Sequence, residues 1–259
     1  MSFQPLKAVV VFLLFFSSSV LAEDFAIETE IFVAGQNGVQ ASNLTIFKDA
    51  MVYDFSMVPE HAVTIFDPTA KRFTVADSQD RIQASLTVEE LIRFVAATQT
   101  RAAGLDIELI RFAANPDFDV EFDESNGDLQ LSSPLWIYRV QTMRASDSQL
   151  KRYNEFAKWF TQLNALFRPL PPNIRMRLNE ELEKRGRLPT RVAVEIKKNG
   201  KVIVSQQSRH RLLTQLSSEQ ANRLSQWQIE RGSYQLIPFL EYQTKQLPIA
   251  KGRSGREKR

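Results

Sequence analysis

The sequence predicts an α+β protein in which an antiparallel sheet is covered by helices. Short segments of alternating hydrophobicity recur at hairpin spacing over residues 25–86, which is typical of an antiparallel meander. Longer segments with apolar residues at helical spacing follow, and two of them begin with capping boxes. The chain has 259 residues, 43% of them hydrophobic, and no Cys, so a packed core without disulfides must stabilise it.

Residues 1–22 are predicted to be a secretory signal peptide. One basic residue, Lys7, precedes an uninterrupted apolar run over residues 8–16, and small residues follow. Val20 and Ala22 occupy the −3 and −1 positions of a cleavage site. The alternative is a membrane anchor, but the run is far shorter than the about 20 residues that span a bilayer. We therefore expect an exported protein, periplasmic or secreted, that is cleaved near Ala22 and has no transmembrane span in its mature chain.

Six strands are predicted before the first helix, because apolar residues alternate or cluster in short runs bounded by turn residues. In the first strand, Phe25, Ile27 and Ile31 lie on one side of the backbone. Turns such as Asp67-Pro68 separate the strands at hairpin distance, so consecutive strands are expected to pair. The six predicted strands cover residues 25–33, 40–48, 51–57, 62–66, 72–77 and 81–86.

A first helix is predicted to begin after Thr87, which forms a capping box with Glu90 and so satisfies two otherwise unpaired backbone N–H groups. Apolar residues then repeat at helical spacing until Gly104, which is expected to break or bend the helix. Residues 105–114 are predicted to continue helically as far as Pro116.

The rest of the chain is predicted to alternate between hairpins and helices. Asn126-Gly127 supplies a hairpin turn, and Ser146 with Gln149 caps the longest helix, which a proline-rich segment stops. The predicted strands cover residues 118–123, 129–132, 135–145, 191–197, 201–211 and 234–242. The predicted helices cover residues 146–167, 173–186 and 217–231.

The net charge of +3 conceals an uneven distribution of charge along the chain. Residues 23–135 contain 7 basic and 20 acidic residues, a balance of −13, whereas residues 136–250 contain 20 basic and 9 acidic residues, a balance of +11. The tail, residues 251–259, adds +4 and is expected to be disordered. Either the two halves pack together and neutralise each other, or the basic half faces an anionic partner.

The sequence contains no recognised catalytic, metal-binding or nucleotide-binding motif. A chain without Cys cannot build thiolate metal sites or use thiol catalysis, and its near-neutral charge disfavours a nucleic-acid partner. His61 and His210 are far apart in sequence, and no G-x-S-x-G or H-E-x-x-H motif accompanies them. We therefore assign no catalytic residue, no metal and no cofactor. A hydrolase that uses carboxylates or His61 remains the enzymatic alternative.

The densest group of carboxylates lies on one predicted strand. Asp117, Asp119, Glu121 and Asp123 share one face of it. Such a face can bind Ca²⁺, but the spacing of an EF-hand loop is absent. A glycosidase needs two carboxylates across a cleft, which a single strand face does not build. We interpret the group as a solvated acidic face.

The chain contains 18 Phe residues, and those of the first sheet fall one or two to a strand. Most are expected to be core residues. If both faces of the sheet carry Phe, either helices cover one face or that face holds an apolar ligand. The predicted ligand-binding residues are Phe32, Phe47, Phe55, Phe160 and Phe167.

Basic residues concentrate around the helix predicted over residues 173–186 and the hairpin that follows it. Such a patch would attract phosphate, sulfated polysaccharide or anionic lipid headgroups, although a solvated face is the simpler interpretation. Base stacking needs aromatic residues among the charges, and this stretch has none. The predicted anionic-surface residues are Arg175, Arg177, Arg185, Arg187, Arg191, Lys197 and Lys198.

Residues 25–86 resemble the sheet of lipoprotein carriers of the LolA/LolB type. The resemblance rests on a rhythm of consecutive strands, LTIFKDAMVYDFSM followed by AVTIFDPTAKRFTVAD, with a turn at Asp67-Pro68. It implies a curved antiparallel sheet with helices on its concave face. The helix that usually precedes the first strand in that family is missing here, and no family residue matches position by position. The whole mature chain is also similar to uncharacterised secreted bacterial proteins with no assigned activity.

Together these observations predict a signal peptide over residues 1–22, one α+β domain with a curved antiparallel sheet over residues 23–250, and a disordered basic tail over residues 251–259. We expect an exported, non-enzymatic binding or envelope-associated protein that holds an apolar or lipid-like ligand between sheet and helices. Two alternatives stay open: the secreted hydrolase, and a module that docks an anionic surface through its basic C-terminal half. The sequence identifies neither the ligand nor an envelope partner.

Overall fold

The structure, a computed structural model, describes residues 23–167 and 170–246. The predicted signal peptide and the predicted basic tail lie outside these residues. Within them the chain forms a single mixed sheet of twelve strands together with six α-helices. The architecture is therefore α+β, as the sequence predicts. No helix in this part of the chain has both the length and the apolarity needed to cross a membrane.

Strands form at the places that the sequence predicts, except over most of the last predicted segment, residues 234–242. In β8, Leu129 and Leu131 are buried while the residues between and beside them are more accessible, and in β7 the alternate positions Val120 and Phe122 are half-buried and the others exposed. The strands are β1 (Phe25–Val33), β2 (Ala41–Lys48), β3 (Met51–Val58), β4 (Ala62–Asp67), β5 (Arg72–Asp77), β6 (Ile82–Thr87), β7 (Asp119–Asp123), β8 (Asp128–Ser132), β9 (Trp136–Arg144), β10 (Arg187–Lys198), β11 (Lys201–Leu213) and β12 (Gln235–Leu236).

Three of the helices begin with capping boxes. The boxes predicted at Thr87 and Ser146 are confirmed, and Ser217 forms a third with Gln220. Each N-cap side chain stabilises its helix by about 1 kcal/mol. The helices are α1 (Val88–Ala103), α2 (Glu108–Ala114), α3 (Asp147–Ala165), α4 (Asn173–Lys184), α5 (Ser218–Glu230) and α6 (Phe239–Gln246), with a short 3₁₀ helix at Arg231–Ser233.

The sequence predicts a strand over residues 234–242, and this prediction is wrong for most of that segment. Only Gln235–Leu236 forms a strand, and Phe239–Gln246 forms α6. Phe239 and Tyr242 are the buried residues of α6. They are three positions apart, a spacing that brings side chains together on one helix face. The apolar residues of this segment therefore follow a helical period.

The order of strands in the sheet is β12-β6-β5-β4-β3-β2-β1-β11-β10-β9-β8-β7. All neighbours are antiparallel except β12 and β6, which are parallel. The meander predicted over the first six strands is confirmed by this order. The central neighbours β1 and β11 come from opposite ends of the described chain.

Helices cover one face of the sheet in two separate cores. The first core packs α1, α3 and α6 on the strands from β1 to β6 and includes Phe47, Phe66 and Phe73. The second core packs α2 and α4 on β8, β9 and β10 and includes Leu131 and Leu178. On the opposite face, α5 covers β2, β3 and β4 through a third core. Twelve strands spaced about 4.8 Å apart make a sheet roughly 50 Å wide, too wide for a single core.

The acidic and basic halves of the chain are interleaved in the sheet. Strands β9, β10 and β11 belong to the basic half and lie between β1 and β8 of the acidic half. Among residues 23–167 and 170–246, two ion pairs join the halves: Arg211 on β11 with Glu28 on β1, and Arg223 on α5 with Glu60. The two halves therefore pack against each other, and part of their charge is neutralised within the fold.

Candidate ligand-binding cavity

A cavity of about 610 Å³ lies between the sheet and the helices, in the gap between the first and second cores. Its floor is the inner face of β1, β2, β3, β9, β10 and β11, and α3 and α4 form its walls. Small-molecule sites in proteins typically have volumes of about 300–1,000 Å³. The cavity therefore has the size of a ligand site, and it lies between the sheet and the helices, where the sequence predicts an apolar ligand.

A row of polar side chains crosses the floor of the cavity. Thr29 on β1 is opposite His210 on β11 and Asn43 on β2, and Thr45 on β2 is opposite Asp54 on β3. The Thr45 hydroxyl donates to Asp54 Oδ1 at 2.6 Å, and the Asn43 amide donates to Asp54 Oδ2 at 2.8 Å. With Ser208 beside His210, these residues form what we call the polar row. Most of its groups are already bonded to one another.

Apolar side chains from β1, β2, β9, β10, β11, α3 and α4 surround the polar row. On α3, two Phe rings stack with their centroids 4.7 Å apart and close the cavity from above. Burial of apolar surface stabilises a bound apolar group by roughly 25 cal/mol per Å². The principal apolar residues are Ile27, Phe47, Trp136, Val194, Phe156 and Phe160.

Arg175 brings a positive charge into the cavity from α4. Its Nε donates to Asn179 Oδ1 at 3.1 Å. Among residues 23–167 and 170–246, no carboxylate lies within ion-pair distance of it. A guanidinium has five N–H donors, so Arg175 keeps donors for a ligand. A positive charge without a carboxylate partner, set among apolar walls, is suited to an acidic group.

Asp54 is the buried carboxyl of the cavity floor. Burial raises its pKa to about 6, although the hydrogen bonds from Thr45 and Asn43 favour the ionised form. Asp54 on β3 is three strands away from His210 on β11, which corresponds to roughly 14 Å across the sheet. Asp54 and His210 therefore occupy different parts of the cavity floor.

The raised pKa of Asp54 predicts that stability falls as the pH rises. Its contribution to folding is fully present below the ordinary pKa of 3.8 and is lost as the pH rises through about 6. Asp54→Asn removes this loss. Between pH 4 and pH 8 we therefore expect the free energy of unfolding of the variant, relative to that of the wild type, to rise by about 2–3 kcal/mol. Urea unfolding at both pH values measures the difference. Parallel pH profiles for the two proteins would contradict the prediction.

His210 faces the cavity from β11 and is bonded at both ring nitrogens. Nδ1 lies 3.0 Å from the Thr29 hydroxyl, and Nε2 lies 2.8 Å from the Ser208 hydroxyl. Burial, with a further contribution from the charge of Arg175, lowers the pKa of His210 to about 3. Both nitrogens meet hydroxyl groups, and no carboxylate in the described part of the chain orients the ring. The Ser208–His210 pair therefore does not complete a catalytic triad.

The lowered pKa of His210 predicts a loss of stability in acid. The unfolded chain protonates His210 near pH 6.5, whereas the folded protein does so only near pH 3. Its contribution is therefore fully present above pH 6.5 and is lost as the pH falls toward 3. His210→Gln keeps hydrogen-bonding groups, and we expect its denaturant midpoint to fall less steeply over this range. Identical slopes for His210→Gln and the wild type would refute the prediction.

The five Phe residues predicted to bind a ligand lie in different places. Phe47 and Phe160 line the cavity. Phe32 lies on the other face of β1, under an Arg guanidinium of β11. Phe55 belongs to the third core, beneath α5. Phe167 packs at the edge of the first core, against α6.

Two of the predicted anionic-surface residues are bound to a carboxylate of their own helix. Arg177 and Arg185 form ion pairs with Glu181, which Lys184 also contacts. Burial alone would raise the pKa of Glu181, but the hydrogen bonds from Arg185 and Lys184 and the charge of Arg177 hold it at about 2. These cations are therefore engaged within α4.

The other predicted anionic-surface residues are spread along β10. The Arg187 guanidinium lies 5.7 Å from the centre of a Phe ring on β7. Arg191 bonds a Gln of β11. Lys197 and Lys198 lie at the far end of the hairpin. Together with Arg175 in the cavity, these residues occupy several sites rather than one continuous patch.

The groups considered for hydrolysis or metal binding lie away from the cavity. His61 lines an open groove beside α5, where Glu60 is paired with Arg223. Asp119, Glu121 and Asp123 are carried by β7, the edge strand. Within residues 23–167 and 170–246, no group of three or more His, Cys, Asp or Glu side chains could hold a metal ion.

The polar row and the cavity role of Arg175 are what reasoning from sequence missed. Two signals were present in the pattern. Asp54 interrupts the apolar strand MVYDFSM, and Thr29 interrupts the inward row of Phe25, Ile27 and Ile31. A polar residue inside an apolar row indicates a satisfied polar network or a site. The β1–β2–β3 meander brings Thr29 and Asp54 into one row, and the pairing of β1 with β11 adds His210 to it.

Comparison with models of known protein families gives no match for this chain, and comparison with curated protein sequences gives none either. The resemblance to lipoprotein carriers therefore remains a prediction. The cavity and its lining are the basis for the function proposed below.

Proposed function

We propose that this protein is an exported, non-enzymatic binding protein that holds an amphiphile with a long apolar part and an acidic head. The observation that carries the proposal is a cavity of about 610 Å³ with apolar walls and one guanidinium that has no carboxylate partner among the described residues. The apolar part of the ligand lies between α3 and the sheet, and its head meets Arg175.

The bonding state of the two charged groups supports an acidic head rather than an amine. Both carboxylate oxygens of Asp54 already accept hydrogen bonds from neighbouring strands. Arg175 donates to Asn179 and also contacts the Tyr153 hydroxyl, but it has no carboxylate partner among the described residues. A carboxylate or phosphate is bound by the planar guanidinium through two parallel N–H donors. An acid therefore gains more from Arg175 than an amine gains from Asp54.

The predicted signal peptide and the resemblance of residues 25–86 to lipoprotein carriers support the same function. A lipid-like molecule that leaves a membrane needs a protein that shields its apolar part from water. A sheet with helices packed on one face provides such a space in the gap between two cores, whose walls are largely apolar. The absence of recognised catalytic motifs in the sequence favours binding over turnover.

The first test is to identify what the purified protein carries. We expect organic extraction and mass spectrometry of the purified full chain to yield lipids enriched in acidic amphiphiles. Delipidated protein should be stabilised by palmitic acid more than by hexadecanol or hexadecylamine in a thermal shift assay. A ligand at 100 times its dissociation constant stabilises the folded state by about 2.7 kcal/mol.

Two outcomes would decide against the proposal. If neither the extract nor the titration reveals an amphiphile, the cavity does not bind this class. If hexadecylamine stabilises the protein most, the head contacts Asp54 and the ligand class is wrong. Ester or glycoside cleavage by the delipidated protein that is lost in His61→Ala would favour the hydrolase.

A further inference from the structure

The hairpin of β10 and β11 projects beyond the strands on either side of it. The last pair with β9 is Ile196 with Trp136, and the last pair with β1 is Gln206 with Val33. Beyond these pairs, strand pairing is confined to β10 and β11. We call residues 197–204 the hairpin tip. It extends past the last strand pairs with β1 and β9, and in the described part of the chain only single backbone hydrogen bonds, from Ala34 to Ser205 and from Lys197 to Leu135, join the base of the hairpin to the neighbouring segments.

The surface of the hairpin tip combines apolar residues with lysines. Val202, Ile203 and Val204 are 50%, 53% and 39% exposed. Single exposed apolar residues are normal on protein surfaces. Three in succession at a projecting turn form a contiguous apolar patch, which is typical of an interaction site. The tip also carries Lys197, Lys198 and Lys201 around the Asn199-Gly200 turn. No carboxylate of residues 23–167 or 170–246 pairs with any of these lysines.

The tip also borders the cavity. Val204 lines the cavity and is at the same time substantially exposed to solvent. A residue that lines a cavity and is also exposed to solvent lies where the cavity meets the protein surface. A surface that contacts the tip is therefore close to an opening of the cavity.

We propose that the hairpin tip docks onto an anionic phospholipid bilayer. The three lysines would lie over the phosphate headgroups, and Val202 and Ile203 would enter the boundary between headgroups and acyl chains. Charge complementarity and a projecting apolar turn carry the proposal. Docking does not depend on whether the cavity holds a ligand, so the two proposals can fail separately.

Vesicle sedimentation of the delipidated full chain tests the docking. We expect binding to vesicles of equal parts phosphatidylglycerol and phosphatidylcholine, weaker binding at high salt, and little binding to pure phosphatidylcholine. The triple variant K197Q/K198Q/K201Q should bind at least about tenfold more weakly, because each Lys near an anionic surface contributes roughly a fivefold factor. Circular dichroism checks that each variant is folded.

The matched control changes the same number of lysines elsewhere. Lys71, Lys151 and Lys245 are exposed and lie outside the hairpin. K71Q/K151Q/K245Q reduces the net charge equally and should bind nearly as well as the wild type. An equal loss in both triple variants would show that overall charge, not the tip, drives binding and would overturn the proposal. Equal binding to neutral vesicles would overturn it too.

Site-specific labelling locates the contact. The chain has no Cys, so Ile203→Cys places a single environment-sensitive dye on the tip. Its emission should shift to the blue when anionic vesicles are added, whereas a dye at Ile229→Cys on α5, which is 81% exposed, should not respond. A shift at Ile229 but not at Ile203 would refute the tip as the contact. A shift at Ile203 that depends on protein concentration without vesicles would indicate pairing with a second copy instead.

Discussion

Arg175→Gln is expected to weaken the binding of palmitic acid by about ten- to a hundredfold, while the binding of hexadecanol changes little. A hydrogen bond to a charged group contributes roughly 1.5–3 kcal/mol, and an acidic head would lose such bonds. An alcohol makes no ion pair with the guanidinium, so its affinity rests on the apolar walls. Isothermal titration of delipidated protein with both ligands measures the two affinities.

Two further variants make the Arg175 result specific. Arg191→Gln removes the same charge from β10, where Arg191 alternates with the cavity-lining Val192 and Val194 and so lies on the opposite face. It should leave both affinities unchanged. Arg175→Lys keeps the charge but not the planar pair of donors, so an intermediate affinity is expected. Equal losses for acid and alcohol in Arg175→Gln would show that the residue shapes the cavity rather than recognising the head.

Ala157→Trp is expected to abolish binding of both palmitic acid and hexadecanol without unfolding the protein. Ala157 is a buried residue of α3 that lines the cavity. An indole at this position would occupy the space that the apolar part of the ligand needs. Because the indole fills space rather than displacing packed atoms, the melting temperature of the ligand-free protein should stay the same or rise.

The control for this variant is Ala193→Trp. Ala193 lies on β10 between Val192 and Val194, so its side chain points to the face of the sheet away from the cavity. Binding should be unaffected there. Retention of full binding by Ala157→Trp would show that ligands occupy another site, and a fall in its melting temperature would show that the cavity is not open at this point.

Local pattern predicts most of the secondary structure of this protein. The strands before α1, the capping boxes at Thr87 and Ser146 and the end of α1 at Gly104 all depend on residues within a few positions of each other. The exception is the segment over residues 234–242, for which the sequence predicts a strand and the structure has mostly α6. A short apolar run is compatible with both the strand period and the helical period. Packing against β6 and the first core stabilises the helix in this segment.

The cavity could be anticipated only in part. Phe47 and Phe160 were selected for their place on the sheet and the long helix, and both line it. Arg175 was read as part of a surface patch, since charge alone does not reveal which side of a helix faces the protein. The part of the polar row that includes His210 and Ser208 depends on the pairing of β1 with β11, which no local pattern encodes.

The pairing of β1 with β11 also constrains the order in which the chain can fold. Thr29 and His210 meet across this seam although 181 positions separate them in sequence. Contacts over such separations form late, because the entropy of closing a long loop opposes them. Strands β1 to β6 can assemble early, but one edge of β1 then stays open until almost the whole chain has been released from the ribosome or a translocation channel. Open strand edges recruit other chains, so a folding helper that shields β1 during this interval would be expected to raise the yield of folded protein.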